Sequence, residues 1–165
     1  MNGKIKMCYK DVLEHRGQLI DYALHNSDML SIITHRPKKC ADSQLAEMLK
    51  AALEKMEEYS VKHIMGIRKW CSNNSKDNRT DMRIYRSDKK VKPMLLDLNC
   101  LEYSQSTNAP EDLCFYRNKA IWISTVRHEQ LAFMYYPTDS DFSFLEHCKI
   151  AYGYDSFDEI FRLPI

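Results

Sequence analysis

The sequence predicts an α+β fold: an antiparallel sheet, with a meander in its C-terminal half, packed against two to four helices. Three observations carry this expectation. Residues 111–136 hold three consecutive strand-like runs joined by short links. Residues 42–58 carry an apolar stripe at helical spacing. Ten Tyr, six Phe and two Trp in 165 residues can fill the core of one domain spanning 1–165, and four Gly with five Pro leave little for a loop-built fold.

Taken in order, residues 8–25 place Val12, Leu13, Leu19, Ile20, Ala23 and Leu24 on one helical face, weakened by Gly17 and stopped at Ser27-Asp28. MLSIITH at 29–35 is β-branched and reads as a strand ended by Pro37. The helix over 42–58 is capped at Asp42 or Ser43, and its stripe is Leu45, Met48, Leu49, Ala52, Leu53 and Met56. Residues 61–70 read as a strand and 72–78 as a polar loop. DMRIYRS at 81–87 alternates Met82 and Ile84 with Arg83 and Tyr85, which predicts a strand with one wet face. A helix starting near Asp88 is expected to run to about residue 103, with Pro93 in its first turns. After a loop from Ser104 to Pro110 come EDLCFYR (111–117), AIWISTVRH (120–128) and QLAFMYY (130–136). Asn118-Lys119 is a hairpin turn between the first two, and Leu113, Phe115 and Trp122 are expected in the core. Residues 139–154 read as a last helix, capped at Asp139 or Ser140. The closing residues either return as an edge strand or pack on the core.

Net charge is +1, but it is unevenly spread. Residues 61–92 carry a net +7, residues 93–165 a net −6, and residues 1–60 are balanced. These blocks either form a basic and an acidic surface or neutralise each other in the fold. No run approaches the ~20 apolar residues of a membrane helix, and no apolar segment follows the basic N-terminus. A cytoplasmic protein without membrane contact is expected. The six cysteines, at 8, 40, 71, 100, 114 and 148, then read as reduced thiols, several of them buried; a disulfide framework is the alternative.

Three segments resemble a group of small, poorly characterised bacterial proteins: DMLSIITHRP (28–37), PEDLCFYR (110–117), and Trp122 followed by Ser124 and His128-Glu129. The similarity spans 28–136, and its specific part is the PEDLCF…W…HE stretch. The polar stretch 72–78 departs from the pattern, and the first helix and acidic tail lie outside it. The resemblance implies an immunity-protein-like, non-enzymatic binding role of the kind found in toxin–immunity loci.

Chemistry-bearing groups offer little for catalysis. Zinc sites draw on paired ligands, and no Cys-x-x-Cys exists; Glu146-His147-Cys148 are chain neighbours that point about 100° apart on a helix. Cys114 with His128 would be a nucleophile and base, but Cys114 sits between Leu113 and Phe115 and reads as a buried inert thiol. Within Glu111-Asp112 and within His128-Glu129, adjacent strand side chains face opposite ways. Gly3, Gly17, Gly66 and Gly153 stand alone, so no phosphate-cradling loop is present. No metal, cofactor or catalytic residue is expected.

Two charged segments remain. The acidic one combines Asp139, Asp141, Glu146, Asp155, Asp158 and Glu159 with aromatics including Tyr152 and Tyr154. That mixture suits docking to a basic protein. The basic one interleaves Arg68, Lys69, Lys76, Arg79, Arg83, Arg86, Lys89, Lys90 and Lys92 with Trp70 and Tyr85, a pattern that fits phosphates and stacked bases. The leading expectation is an immunity protein that neutralises a protein toxin, such as a cationic nuclease, through Asp139, Asp141, Glu146, Tyr152, Tyr154, Asp155, Asp158 and Glu159. The rivals are nucleic-acid binding through 61–92 and an enzyme whose site is assembled from distant residues.

Overall fold

Eight strands pair antiparallel into one sheet, as a computed structural model of the chain shows. It describes residues 3–36, 43–71, 73–76, 78–102, 110–156 and 160–165, with only the backbone at Ser43, Leu45 and Ala46. The expected strand stop at Pro37, Cys40, the candidate cap Asp42 and the side chain of the other candidate, Ser43, the loop 104–109, and Phe157, Asp158 and Glu159 lie outside what is described.

The strands are β1 (Lys4–Met7), β2 (Met29–His35), β3 (Ser60–Ile64), β4 (Lys69–Trp70), β5 (Asn73–Asn74), β6 (Thr80–Arg86), β7 (Glu111–Arg117), β8 (Ala120–Val126), β9 (Leu131–Tyr135) and β10 (Tyr152–Asp155). The helices are α1 (Tyr9–Glu14), α2 (Arg16–Asn26), α3 (Ser43–Lys55), α4 (Lys92–Leu98) and α5 (Asp139–His147). Strand order in the main sheet is β10-β1-β9-β8-β7-β2-β6-β3, and β4 and β5 form a separate small hairpin. The architecture is therefore α+β, with the predicted meander as β7-β8-β9. Asn118 and Lys119 both have positive φ (49° and 65°) and link Arg117 to its partner Ala120, the two-residue turn that right-twisted strands favour.

Both faces of the sheet are covered. One face packs with the helices around Leu30, Ile32, Leu113, Phe115, Trp122 and Leu145. The other, around Ile33, Met82, Ile84, Tyr116 and Phe133, is closed by Trp70 of the β4–β5 hairpin and by Phe161 and Leu163 near the C-terminus. This corrects the wet face expected for β6. Tyr85 is 1% exposed and belongs to the helix-side core, because β6 lies inside the sheet between β2 and β3.

Several boundaries move. The single helix expected over 8–25 is two, α1 and α2, divided at His15; Gly17 lies inside α2 and meets no crowding, and α2 ends at Asn26, next to the expected stop at Ser27-Asp28. Helix α3 ends at Lys55, with a 3-10 turn over Glu57–Tyr59. Met48 is 63% exposed; among the described side chains of the stripe, Leu53 and Met56 are buried and Leu49 and Ala52 stand at its margin. The polar loop 72–78 contains β5 and is half of a hairpin. The helix expected over 88–103 is a 3-10 turn at Lys89–Val91, capped by the Asp88 side chain, followed by α4. Left-handed Asn99 (φ 51°) stops it, as asparagine does at a helix C-terminus.

The largest correction concerns 139–154. Helix α5 ends at His147, Lys149 turns left-handed (φ 56°), and the chain re-enters the sheet as edge strand β10 against β1. The cap is Thr138, not Asp139 or Ser140; Thr138 and Asp141 form a reciprocal capping box. The C-terminal residues pack on the second face and make one bridge, Ala120 to Arg162. No helix among the described residues is long and apolar enough to cross a membrane.

Candidate functional site

Sheet pairing divides the predicted acidic surface. Asp139 and Glu146 are exposed on α5, whereas Tyr152, Tyr154 and Asp155 stand on β10 at the open edge of the sheet. Tyr154 is 69% exposed, a large aromatic on an edge strand whose outer backbone groups face away from β1. A groove of about 380 Å³ runs on one side of it, walled by Lys6, Met7, Cys8 and Ala151. A second, of about 260 Å³, lies between Tyr154, Asp155, Pro137 and Phe142. Phe142 and Tyr152 support the edge from beneath, with ring centroids 5.3 Å apart.

The acids themselves are partly spent on the fold. Asp155 accepts from the Lys4 ammonium at 3.0 Å, and that hydrogen bond holds its carboxyl below the usual carboxylate range. Asp141 has no exposed surface and does not belong to any face a partner could reach. Its oxygens take both Arg117 guanidinium nitrogens at 3.1 and 3.0 Å, the Tyr22 hydroxyl at 2.8 Å and the Thr138 backbone N–H at 2.8 Å. Burial alone would raise its pKa, but Arg117 and these donors bring it below the usual value. The Arg117 guanidinium also lies 3.3 Å over the Trp122 ring. Locally, therefore, the acidic block is largely neutralised, leaving Asp139 and Glu146 as its exposed described carboxylates.

The basic segment loses its stacking groups. Trp70 is buried and donates its indole N–H to Asp112 at 2.9 Å, and Tyr85 is in the core. Arg86 donates to the Glu58 carbonyl at 2.9 Å and Lys92 pairs with Asp21. Lys89 and Lys90 are exposed. A cavity of about 460 Å³ under α3 has Arg36 and Arg83 in its wall, but also Asp81, Glu54 and Glu57, so it has no single charge preference.

On the second face, Cys114 does not meet His128. Its sulfur contacts Cys71 Sγ at 3.2 Å. Glu111 and His128, from two separate pairs each expected to diverge, instead converge: Glu111 Oε2 lies 3.5 Å from His128 Nδ1, while Oε1 lies 2.6 Å from His35 Nε2. His35 Nδ1 meets the Thr80 hydroxyl at 3.2 Å. Burial pushes the Glu111 pKa up, but His35, Arg127 and His128 bring it below its ordinary value. Next to it, Asp112 has φ 54°, at the register shift between β2 and β7. It accepts from Trp70, from Asn73 Nδ2 at 2.7 Å and from the Arg127 backbone N–H at 3.1 Å, which fastens the β4–β5 hairpin onto the sheet. Burial raises the Asp112 pKa.

Glu111, Asp112 and His128 are the described residues closest to a metal-ligand arrangement, with one ligand atom each inside 4.8 Å. Both Asp112 oxygens and Glu111 Oε1 already have hydrogen-bonding partners, and the Arg127 guanidinium lies 3.9 Å from Glu111, which opposes a second cation. Elemental analysis of purified protein is expected to find no stoichiometric divalent metal; about one zinc per chain would give the trio that role. In the other candidate, Cys148 is buried while Glu146 and His147 are exposed, so the three do not share a site.

Compared with family models, curated proteins and solved structures, the chain matches none.

Proposed function

We propose that the chain is a cytoplasmic, non-catalytic binding protein of the immunity type, which neutralises a protein toxin by forming a tight complex through β10 and the adjoining face of α5. The observation that supports this reading is Tyr154, 69% exposed on a strand whose outer side is open among the described residues, with a groove on either side. Tyrosine brings large contact area and a hydroxyl at low entropic cost, and the edge backbone can extend a partner's sheet. Asp139 and Glu146 are exposed on α5, whose Phe142 shares a groove with Tyr154, and carry the charge that would steer a cationic partner. Nucleic-acid binding through 61–92 is disfavoured because Trp70 and Tyr85 are buried.

The test is a pull-down from native cells, treated with nuclease, alongside filter binding to total RNA and DNA. A protein partner surviving nuclease is expected. Tyr154→Ala should then weaken that complex by about 2 kcal/mol without altering thermal stability. Asp139→Lys with Glu146→Lys should slow association and flatten its salt dependence. Salt-sensitive retention of nucleic acid with no protein partner would overturn the reading.

A further inference from the structure

We propose that Cys71 and Cys114 form a reversible thiol–disulfide site, oxidised by a low-molecular-weight disulfide that bears carboxylates and enters the cavity beside Cys71. The two sulfurs lie 3.2 Å apart, one from the β4–β5 hairpin and one from interior strand β7. A disulfide needs about 2.05 Å, so the thiols must close by little more than 1 Å. The half-buried Cys71 supplies that movement, from a hairpin held on the sheet through Asp112. Cys71 stands in the two-residue link between Trp70 and Asn73, in left-handed conformation (φ 46°), and the hairpin's Trp70 and Asn73 side chains bond Asp112. Cys114, by contrast, is fixed between β2 and β8.

Access is one-sided. Cys114 has no exposed surface, whereas Cys71 is half-buried and lines a cavity of about 520 Å³. Lys69 and Arg162 stand in its wall, together with Asn73, Asn74 and Phe161. Lys69 and Arg162, with the Asn74 amide, give this wall the chemistry that suits a carboxylate-bearing disulfide. Burial pushes the Cys114 thiol well up, which assigns the first attack to Cys71.

The exchange has two displacements. Cys71 thiolate attacks one sulfur of RSSR, forming Cys71–S–S–R and expelling RS⁻, which takes up a proton. Cys114 then gives up its proton, its sulfur attacks Cys71 Sγ, and the second RS⁻ leaves and is protonated. The protein dithiol is oxidised by two electrons, and RSSR is reduced to two RSH. The new bond staples the hairpin to β7.

The experiment uses the folded full chain with Cys8→Ser, which removes an exposed thiol, and glutathione disulfide as the probe. Loss of two titratable thiols is expected, with a peptide pair linked through Cys71 and Cys114 by mass spectrometry and full reversal by dithiothreitol. In Cys114→Ser the reaction should stop at a mixed disulfide on Cys71; in Cys71→Ser, Cys114 should stay unmodified until the protein is unfolded. Arg162→Gln should slow the reaction with glutathione disulfide several-fold but not that with uncharged hydroxyethyl disulfide. Circular dichroism confirms that each variant is folded. Failure of the linkage to form in folded protein, or adducts confined to other cysteines, would overturn the proposal.

Discussion

Replacing Trp122 by alanine is expected to destabilise the protein by about 3–5 kcal/mol and to reduce its soluble yield. Trp122 is 2% exposed on β8, within the helix-side core. Its ring is clamped by the Arg117 guanidinium at 3.3 Å on one face and by Tyr22, with a centroid distance of 5.9 Å. Truncation leaves a cavity between β8 and α2 and takes away the surface on which Arg117 lies. The indole N–H has no hydrogen-bond partner among the described residues. Trp122→Phe therefore removes an unsatisfied buried donor along with the extra ring, and should cost much less than alanine. Urea unfolding of the two variants against the parent tests this. A Trp122→Ala protein of unchanged stability that fails to bind its partner would place the ring at an interface instead.

The meander around Trp122 was legible in the sequence because its signals are local. Asn118-Lys119 sits between two β-rich runs, and Leu113, Phe115 and Trp122 are buried as their pattern requires. The edge of the sheet was not legible. Strands β1 and β10 are four residues each, too short for a period to emerge; β1 is placed by β9, and β10 by the edge that β1 then offers. Tyr152, Tyr154 and Asp155 were readable as surface candidates, but the helix expected over 139–154 would have pointed the two tyrosines differently. Charge counts misled for a related reason. Asp155 belongs to the acidic block, but Lys4, which pairs with it, comes from the other end of the chain, and a block sum that includes Arg117 does not show that it meets Asp141. Likewise Cys71 and Cys114 are 43 residues apart, and Glu111 and His128 come from different strand ends. Spacing along a chain cannot show such meetings; the sheet register makes them.

Asp141→Asn is expected to destabilise the protein by about 3 kcal/mol, although the residue was a candidate for partner contact from sequence. The carboxylate is wholly buried and holds three elements together: it closes the capping box of α5, takes a two-pronged bond from Arg117 of β7 and accepts from Tyr22 of α2. The amide keeps the size but loses the charge, leaving a half-buried guanidinium with only the Asn26 carbonyl and the Trp122 face. The low end of the range for broken buried pairs applies, because Arg117 retains 31% of its side-chain exposure and water can replace part of the loss. Adding Arg117→Gln should recover some stability, and the non-additivity of the pair measures the interaction. The sign with pH follows from the folded carboxyl lying below its ordinary 3.8. The unfolded chain binds a proton first, so the stabilisation is present above pH ~4 and is lost as pH falls through the folded value. Glu111 and Asp155, also held low, contribute in the same acid window, so Asp141→Asn should flatten the acid limb of stability without abolishing it. Unfolding midpoints measured between pH 7 and pH 2 decide this. An unchanged acid limb and parent-like stability would mean that the carboxylate is not held by Arg117. A fully folded Asp141→Asn protein that binds its partner poorly would return the residue to the interface.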